Sequence, residues 1–269
     1  MDHSMNAEVC RRTMNFLAAA AVRTALPDRA VYACHQLGSD LYYTFTGGQS
    51  PGNDEIGKLK AAMTRWIEQD AEITVRTVSC REAVEYFEKN RQADTALLLR
   101  QRGRAGVKVN RLDGFTDLYA DPLLPSAGLL TGFDIFPYHD GFLLRLPSAG
   151  GKIGEFTDKP RIFSACQEYE KWGRITSVRS AAHINRLIAD GGMADFIRIN
   201  EAFQAKNLSE IADQIYDRRN DVKLVLIAGP SSSGKTTTAK RLSIYLKVRG
   251  IEAVVISLDD YYLHPDNVP

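Results

Sequence analysis

From Asp54 to Asp70 the apolar residues Ile56, Leu59, Met63 and Ile67 recur at three- and four-residue intervals, which predicts an amphipathic helix packed on a core. Upstream, residues 15–26 (NFLAAAAVRTAL) carry almost no polar side chain and read as a buried helix. Residues 31–48 (VYACHQLGSDLYYTFTGG) form two runs about Gly38-Ser39, the pattern of a hairpin. The short runs 95–100 (TALLLR), 107–112 (VKVNRL) and 141–147 (GFLLRLP) read as strands, with Asp113-Gly114 and Asp140-Gly141 as turns. Residues 1–150 therefore predict an α+β domain.

The pattern changes after residue 150. Pro160 suits a first helical turn, Ser180 can cap a helix that ends before Gly191-Gly192, and Asn207 with Glu210 has capping-box spacing. Residues 151–220 read as a helical connector. Then DVKLVLIAG (221–229) is continuously apolar, as a parallel strand covered on both faces must be. A helix over 236–249 and a second β-rich run, EAVVIS (252–257), follow it. Residues 221–269 thus predict the first βαβ unit of an α/β domain.

The 269-residue chain is 44% apolar, enough for a sizeable core, and its formal charge of +1 gives no net field to gather a polyanion. Arg100, Arg102, Arg104, Lys108 and Arg111 make a local basic string without interleaved aromatics, so a solvated face is favoured over nucleic-acid binding. Cys10, Cys34, Cys80 and Cys166 are widely spaced and read as reduced structural thiols. No run approaches the roughly 18 apolar residues of a membrane span, and the N-terminus lacks a cleavable signal, so a cytoplasmic location is expected.

Residues 229–236 read GPSSSGKT and fit G-x-x-x-x-G-K-[ST] at every fixed position, between an apolar run and a helix. A triphosphate must be approached by backbone N–H groups, so Gly229 and Gly234 remove the Cβ atoms that would obstruct the curve. The amides of Ser231, Ser232, Ser233, Gly234, Lys235, Thr236 and Thr237 then supply an anion nest, Lys235 a mobile charge for the β- and γ-phosphates, and the Thr236 hydroxyl a ligand for Mg²⁺. ATP and Mg²⁺ are the cofactors this implies. The second β-rich run ends in Ser257-Leu258-Asp259-Asp260-Tyr261-Tyr262. At the carboxyl end of a parallel strand, a carboxylate there can take a proton from an acceptor hydroxyl or hold the metal.

The string IAGPSSSGKTT followed by ISLDDYY resembles the uridine kinase and phosphoribulokinase branch of P-loop kinases. That resemblance implies Asp259 as catalytic base and metal group, Lys235 as catalytic charge, Tyr262 as an acceptor-binding residue, and a nucleoside-like hydroxyl as acceptor. More widely, the chain is similar to larger bacterial proteins in which such a kinase domain follows a part resembling the editing domain of threonyl-tRNA synthetase. EYEKWGRITSVRSAAHINRLIADGG and EAFQAKNLSEIADQI carry that likeness through the connector. In synthetases the editing domain binds a metal through H-x-x-x-H and C-x-x-x-H. The corresponding positions here are Arg12, Phe16, Tyr119 and Leu123, none of which offers an imidazole or thiolate, so metal-dependent editing is not expected. The residues after Val222 are too few for a whole kinase domain, and the chain is expected to be a fragment of one.

Two functions follow. The first is an ATP-dependent phosphotransferase acting on a nucleoside-like hydroxyl. The alternative is an ATP-binding regulator whose synthetase-like half recognises RNA or an amino acid.

Overall fold

In the computed structural model, residues 3–45, 49–103, 105–147 and 152–261 are described, with the side chains of the first helix described from residue 7. That helix, α1 (His3–Ala25), is the axis of the N-terminal core. Phe16, Leu17, Ala20 and Ala21 have no exposed surface, and the small alanines let neighbouring elements approach closely. The next two elements, β1 (Val31–Leu37) and β2 (Asp40–Phe45), pair antiparallel across Gly38, whose φ of 73° only glycine adopts freely. Helix α2 (Asn53–Glu68) buries Ile56, Leu59, Met63 and Trp66 against α1. At its start Glu55 accepts from the Gly52 amide at 3.0 Å and pairs with Arg29 at 2.8 Å.

A second layer follows: β3 (Thr74–Ser79), α3 (Cys80–Lys89), α4 (Ala93–Arg102), β4 (Gly106–Leu112) and β5 (Phe115–Asp117). The three strands form an antiparallel sheet in chain order, with α3 and α4 covering Val109. The β4–β5 loop is Asp113-Gly114, both at positive φ (46° and 81°), as a type I′ turn requires. Finally β6 (Asp134–Tyr138) and β7 (Gly141–Arg145) join the first hairpin in a four-stranded sheet ordered β1-β2-β7-β6. Three helices come next, α5 (Pro160–Ile175), α6 (Ala181–Ala189) and α7 (Met193–Asp217), and α8 (Lys235–Val248) lies after the phosphate motif.

The chain divides into two compact units, residues 1–186 and 187–269. In the second, Leu208 and Ala212 of α7 pack on Leu242 and Leu246 of α8, and Arg249 pairs with Asp213. The mixed α and β content agrees with the expectation for the N-terminal part. No helix among the described residues is long and apolar enough to cross a membrane.

Three expectations are corrected. The run 95–100 lies within α4 rather than a strand. Ala, Leu and Arg favour helix, and Gly103 at φ 60° supplies a left-handed end cap, so the short apolar run carries no strand information. Asn207 does not start a helix, because α7 continues through it, with Leu208 and Ala212 held against α8. The βαβ unit expected from residue 221 has its helix but not its strands. Neither 221–229 nor 252–257 is hydrogen-bonded into a sheet, and Leu226 and Val254 are 82% and 87% exposed. An apolar strand of this kind gains its stability from neighbouring strands and a layer on each face, and among the described residues no strand pairs with it.

Candidate functional site

The phosphate motif keeps a curved backbone without the sheet. Gly234 is the N-cap of α8 at φ 82°, and Ser232 also lies in the left-handed region at φ 60°. Such alternation turns successive N–H groups toward one side, the arrangement that binds anions. A Cβ on Gly229 would lie 2.6 Å from the Ser233 hydroxyl oxygen, a contact that rotation of the Ser233 side chain can relieve. The Lys235 ammonium donates to the Pro230 carbonyl at 2.9 Å across the loop, and the Thr238 amide donates to the Gly234 carbonyl at 2.8 Å. Ser231, Ser232, Ser233, Thr236 and Thr237 are exposed. These residues fit a phosphate group and leave the Thr236 hydroxyl available to a cation.

Asp259 sits on the short 3-10 turn Leu258–Tyr261, exposed, with Asp260 beside it. No hydrogen bond or ion pair among the described residues joins Asp259 to the 229–236 loop. Without sheet pairing, the two segments lack the register that would align their ends. Tyr262 lies outside the described residues.

Of the four positions that the synthetase resemblance singles out, Phe16, Tyr119 and Leu123 belong to one packed core in the first unit, and Arg12 reaches Asp121 between the latter two. Phe16 and Tyr119 meet edge-on with ring centroids 5.7 Å apart, and Tyr119 and Leu123 pack against the core that contains Phe16. Arg12 Nη1 reaches Asp121 Oδ2 at 3.5 Å. The Thr13 hydroxyl donates to the Val9 carbonyl and accepts from the Leu124 amide at 2.9 Å, fixing the 118–124 segment on α1. Among the described residues no group of three or more His, Cys, Asp or Glu side chains is placed to hold a metal ion. Aromatic packing occupies the position instead.

Asp117, which the periodicity did not single out, borders this cluster. It accepts from the Leu118 amide at 2.8 Å and from Gln92 Nε2 at 3.3 Å, yet burial pushes its carboxyl up to about 6 from the usual 3.8. Burial also raises the Tyr119 phenol well above its ordinary value, with the Asp117 charge adding to it. A carboxyl whose folded pKa lies above its unfolded value favours folding most below the unfolded pKa, and that contribution is lost as pH rises through about 6. The shift corresponds to about 3 kcal/mol, discounted to about 1–2 kcal/mol because part of the side chain is exposed. Asp117→Asn keeps the accepting oxygen and removes the charge. Urea titrations should therefore show it more stable than wild type by about 1–2 kcal/mol at pH 7.5, with the gain gone near pH 4; equal stability at both pH values contradicts this origin.

The basic string does not converge. Arg100 pairs with Glu88 at 2.5 Å, Lys108 and Arg111 fall on opposite faces of β4, and Arg104 lies outside the described residues. The α3–α4 cleft of about 390 Å³ beside it is lined by Cys80, Arg81, Glu85, Glu88 and Arg100, with Arg81 paired to Glu85. All four cysteines are free, and burial pushes the Cys34 thiol up to about 12, which keeps it protonated and unreactive.

No known family's model matches the chain. Over 128 residues, 48% of the chain, it is 24% identical to the threonine–tRNA ligase of Francisella tularensis subsp. novicida (strain U112). The same extent and identity hold for the ligase of Francisella tularensis subsp. tularensis (strain FSC 198). The matched stretch spans a fifth of the length of these relatives. The chain is thus distantly similar, over about half its length, to part of threonine–tRNA ligases.

Proposed function

We propose that the protein is an ATP-binding regulator, in which the loop 229–236 holds ATP with Mg²⁺ and the synthetase-like part recognises RNA or an amino acid. The observation that carries this reading is the likeness to threonine–tRNA ligases over 128 residues. The left-handed Ser232 and Gly234, with Lys235 spanning the loop, support the nucleotide half of it. Ser231–Thr237 would contact the phosphates through backbone N–H groups, and Thr236 with Asp259 would hold Mg²⁺, which offsets phosphate charge. The packing of Phe16, Tyr119 and Leu123, with Arg12 paired to Asp121, supports recognition without metal-dependent hydrolysis.

Coupling is the test, because linked sites change each other's affinity by the same factor. With the complete protein, ATP affinity measured with and without tRNA or threonine should change about 5-fold or more, and tRNA affinity should change equally on adding ATP. Identical ATP affinities under all conditions would sink the regulatory reading.

A second reading, favoured by Asp259-Asp260 following the phosphate motif, is a uridine kinase-like phosphotransferase in the cytoplasm. In it the acceptor hydroxyl oxygen bonds to the γ-phosphorus, the bond to the ADP oxygen breaks, and Asp259 takes the hydroxyl proton, with Tyr262 beside the acceptor. Lys235 would follow the charge as it moves to the leaving oxygen.

A further inference from the structure

Helices α3 and α4 close over Ala83, Phe87, Ala96 and Val109, but a cleft of about 390 Å³ stays open between them. That volume falls within the range of about 300–1,000 Å³ found for small-molecule sites. Its floor is apolar. Val84 of α3 and Leu99 of α4 line it and are otherwise buried, and Cys80 joins them with its thiol donating to the Leu99 carbonyl at 3.4 Å. The thiol's one donor is thus engaged within the chain, and the floor offers a ligand contact area rather than hydrogen bonds.

The polar groups stand on the walls. Arg81, Glu85 and Glu88 recur at i, i+4 and i+7 and so border the cleft along one face of α3, while Arg100 borders it from α4. Arg81 pairs with Glu85 along its own helix at 2.9 Å. The Glu88–Arg100 pair is different, because it runs from one helix to the other at 2.5 Å. About half of each side chain is exposed, so the pair contributes little to the fold and opens readily.

Two charges of each sign around an apolar floor select against most ligands. An anion would face Glu85 and Glu88, and a cation would face Arg81 and Arg100. An uncharged molecule would have nothing to offer either wall. A molecule that carries both charges replaces the single Glu88–Arg100 contact with two charge-assisted ones, and an apolar group on it then covers Val84 and Leu99.

We propose that the α3–α4 cleft is a binding site for a small zwitterion with an apolar body, the chemistry of a free amino acid. Its carboxylate would lie on Arg100, its ammonium on Glu88 and its side chain over Val84 and Leu99. The proposal deepens, and rests on, the reading of the synthetase-like part as a recognition domain.

The test is equilibrium dialysis of the full chain against labelled L-leucine, L-valine and L-threonine in turn. At least one should bind saturably. The same molecule lacking its ammonium, or lacking its carboxylate, should compete about 10-fold more weakly, the effect of losing one charge-assisted bond. Arg100→Gln and Glu88→Gln should each weaken binding by about the same factor, with melting temperatures unchanged because the pair they break is exposed. Lys235→Ala should bind the amino acid as wild type does.

Absence of saturable binding by all three amino acids overturns the proposal. Equal competition by either single-charge analogue does so as well, and so does an affinity unchanged in Arg100→Gln or in Glu88→Gln. Binding lost in Lys235→Ala would place the amino acid at the phosphate loop and overturn it too. ATP–tRNA coupling measured on the same samples reports the proposed function separately. An empty cleft with that coupling intact removes this site and leaves the function standing.

Discussion

Lys235→Ala should weaken ATP binding by about 10-fold or more, with no change in thermal stability. The ammonium is exposed enough to move and is held by a single bond to the Pro230 carbonyl, so its loss removes little from the folded chain. Against a triphosphate it supplies charge-assisted bonds of about 1.5–3 kcal/mol, which converts to roughly 10- to 150-fold in affinity. Titration calorimetry of ATP into both proteins decides the matter, and equal affinities would show that the loop does not hold the nucleotide.

The largest effect on stability is expected at Gly141→Ala. Gly141 opens β7 in the middle of the four-stranded sheet, opposite Thr44, and a Cβ there would lie 1.8 Å from the Tyr43 carbonyl oxygen. Neither strand can retreat. Phe142, Leu143 and Leu144 are fully buried, and the Phe142 ring stacks on Tyr43 at 4.9 Å. Relief therefore requires breaking the β2–β7 ladder or opening the core beneath it, at about 3–5 kcal/mol, a large part of a typical domain's stability. Urea unfolding should show the loss, and Gly57→Ala is the control. Gly57 lies within α2 with nothing within 4 Å of its added Cβ, so that variant should match or slightly exceed wild type. A Gly141→Ala protein as stable as Gly57→Ala would contradict the packing described here.

Gly141 also shows how far the sequence could be read. Asp140-Gly141 reads as a turn dipeptide, but the turn is His139-Asp140, with His139 at φ 49°, and Gly141 is needed for close approach rather than for conformation. Asp113-Gly114 and Gly38, by contrast, sit at the turns their composition announces, because the backbone there demands positive φ. The helix over α2 was legible because one face is buried, which imprints the period on the residues. Periodicity failed at 95–100, where a run of three leucines fits either a strand or the buried edge of a helix, and tertiary contact with α3 decides.

The candidate sites divide along the same line. The motif at 229–236 is legible because binding a phosphate would demand particular residues at fixed spacing. The arrangement of Asp259 relative to that loop was not legible, because it depends on strand pairing that residues 221–229 and 252–257 do not make by themselves. Asp117 was not legible for a different reason. Aspartate near a turn is ordinary in sequence, and only burial makes it unusual.

The central claim is that ATP is held by the 229–236 loop as a signal coupled to recognition by the synthetase-like part, and is not consumed. Its most direct test is the fate of labelled ATP on the full chain with Mg²⁺, tRNA and a panel of nucleosides, each added in turn, counting nucleotide bound and ADP formed in the same sample. The account predicts about one intact ATP per chain, an affinity that shifts with tRNA, and no ADP above the Lys235→Ala background. ADP and a phosphorylated nucleoside appearing in equal amounts, with no response to tRNA, would contradict it and establish the phosphotransferase instead.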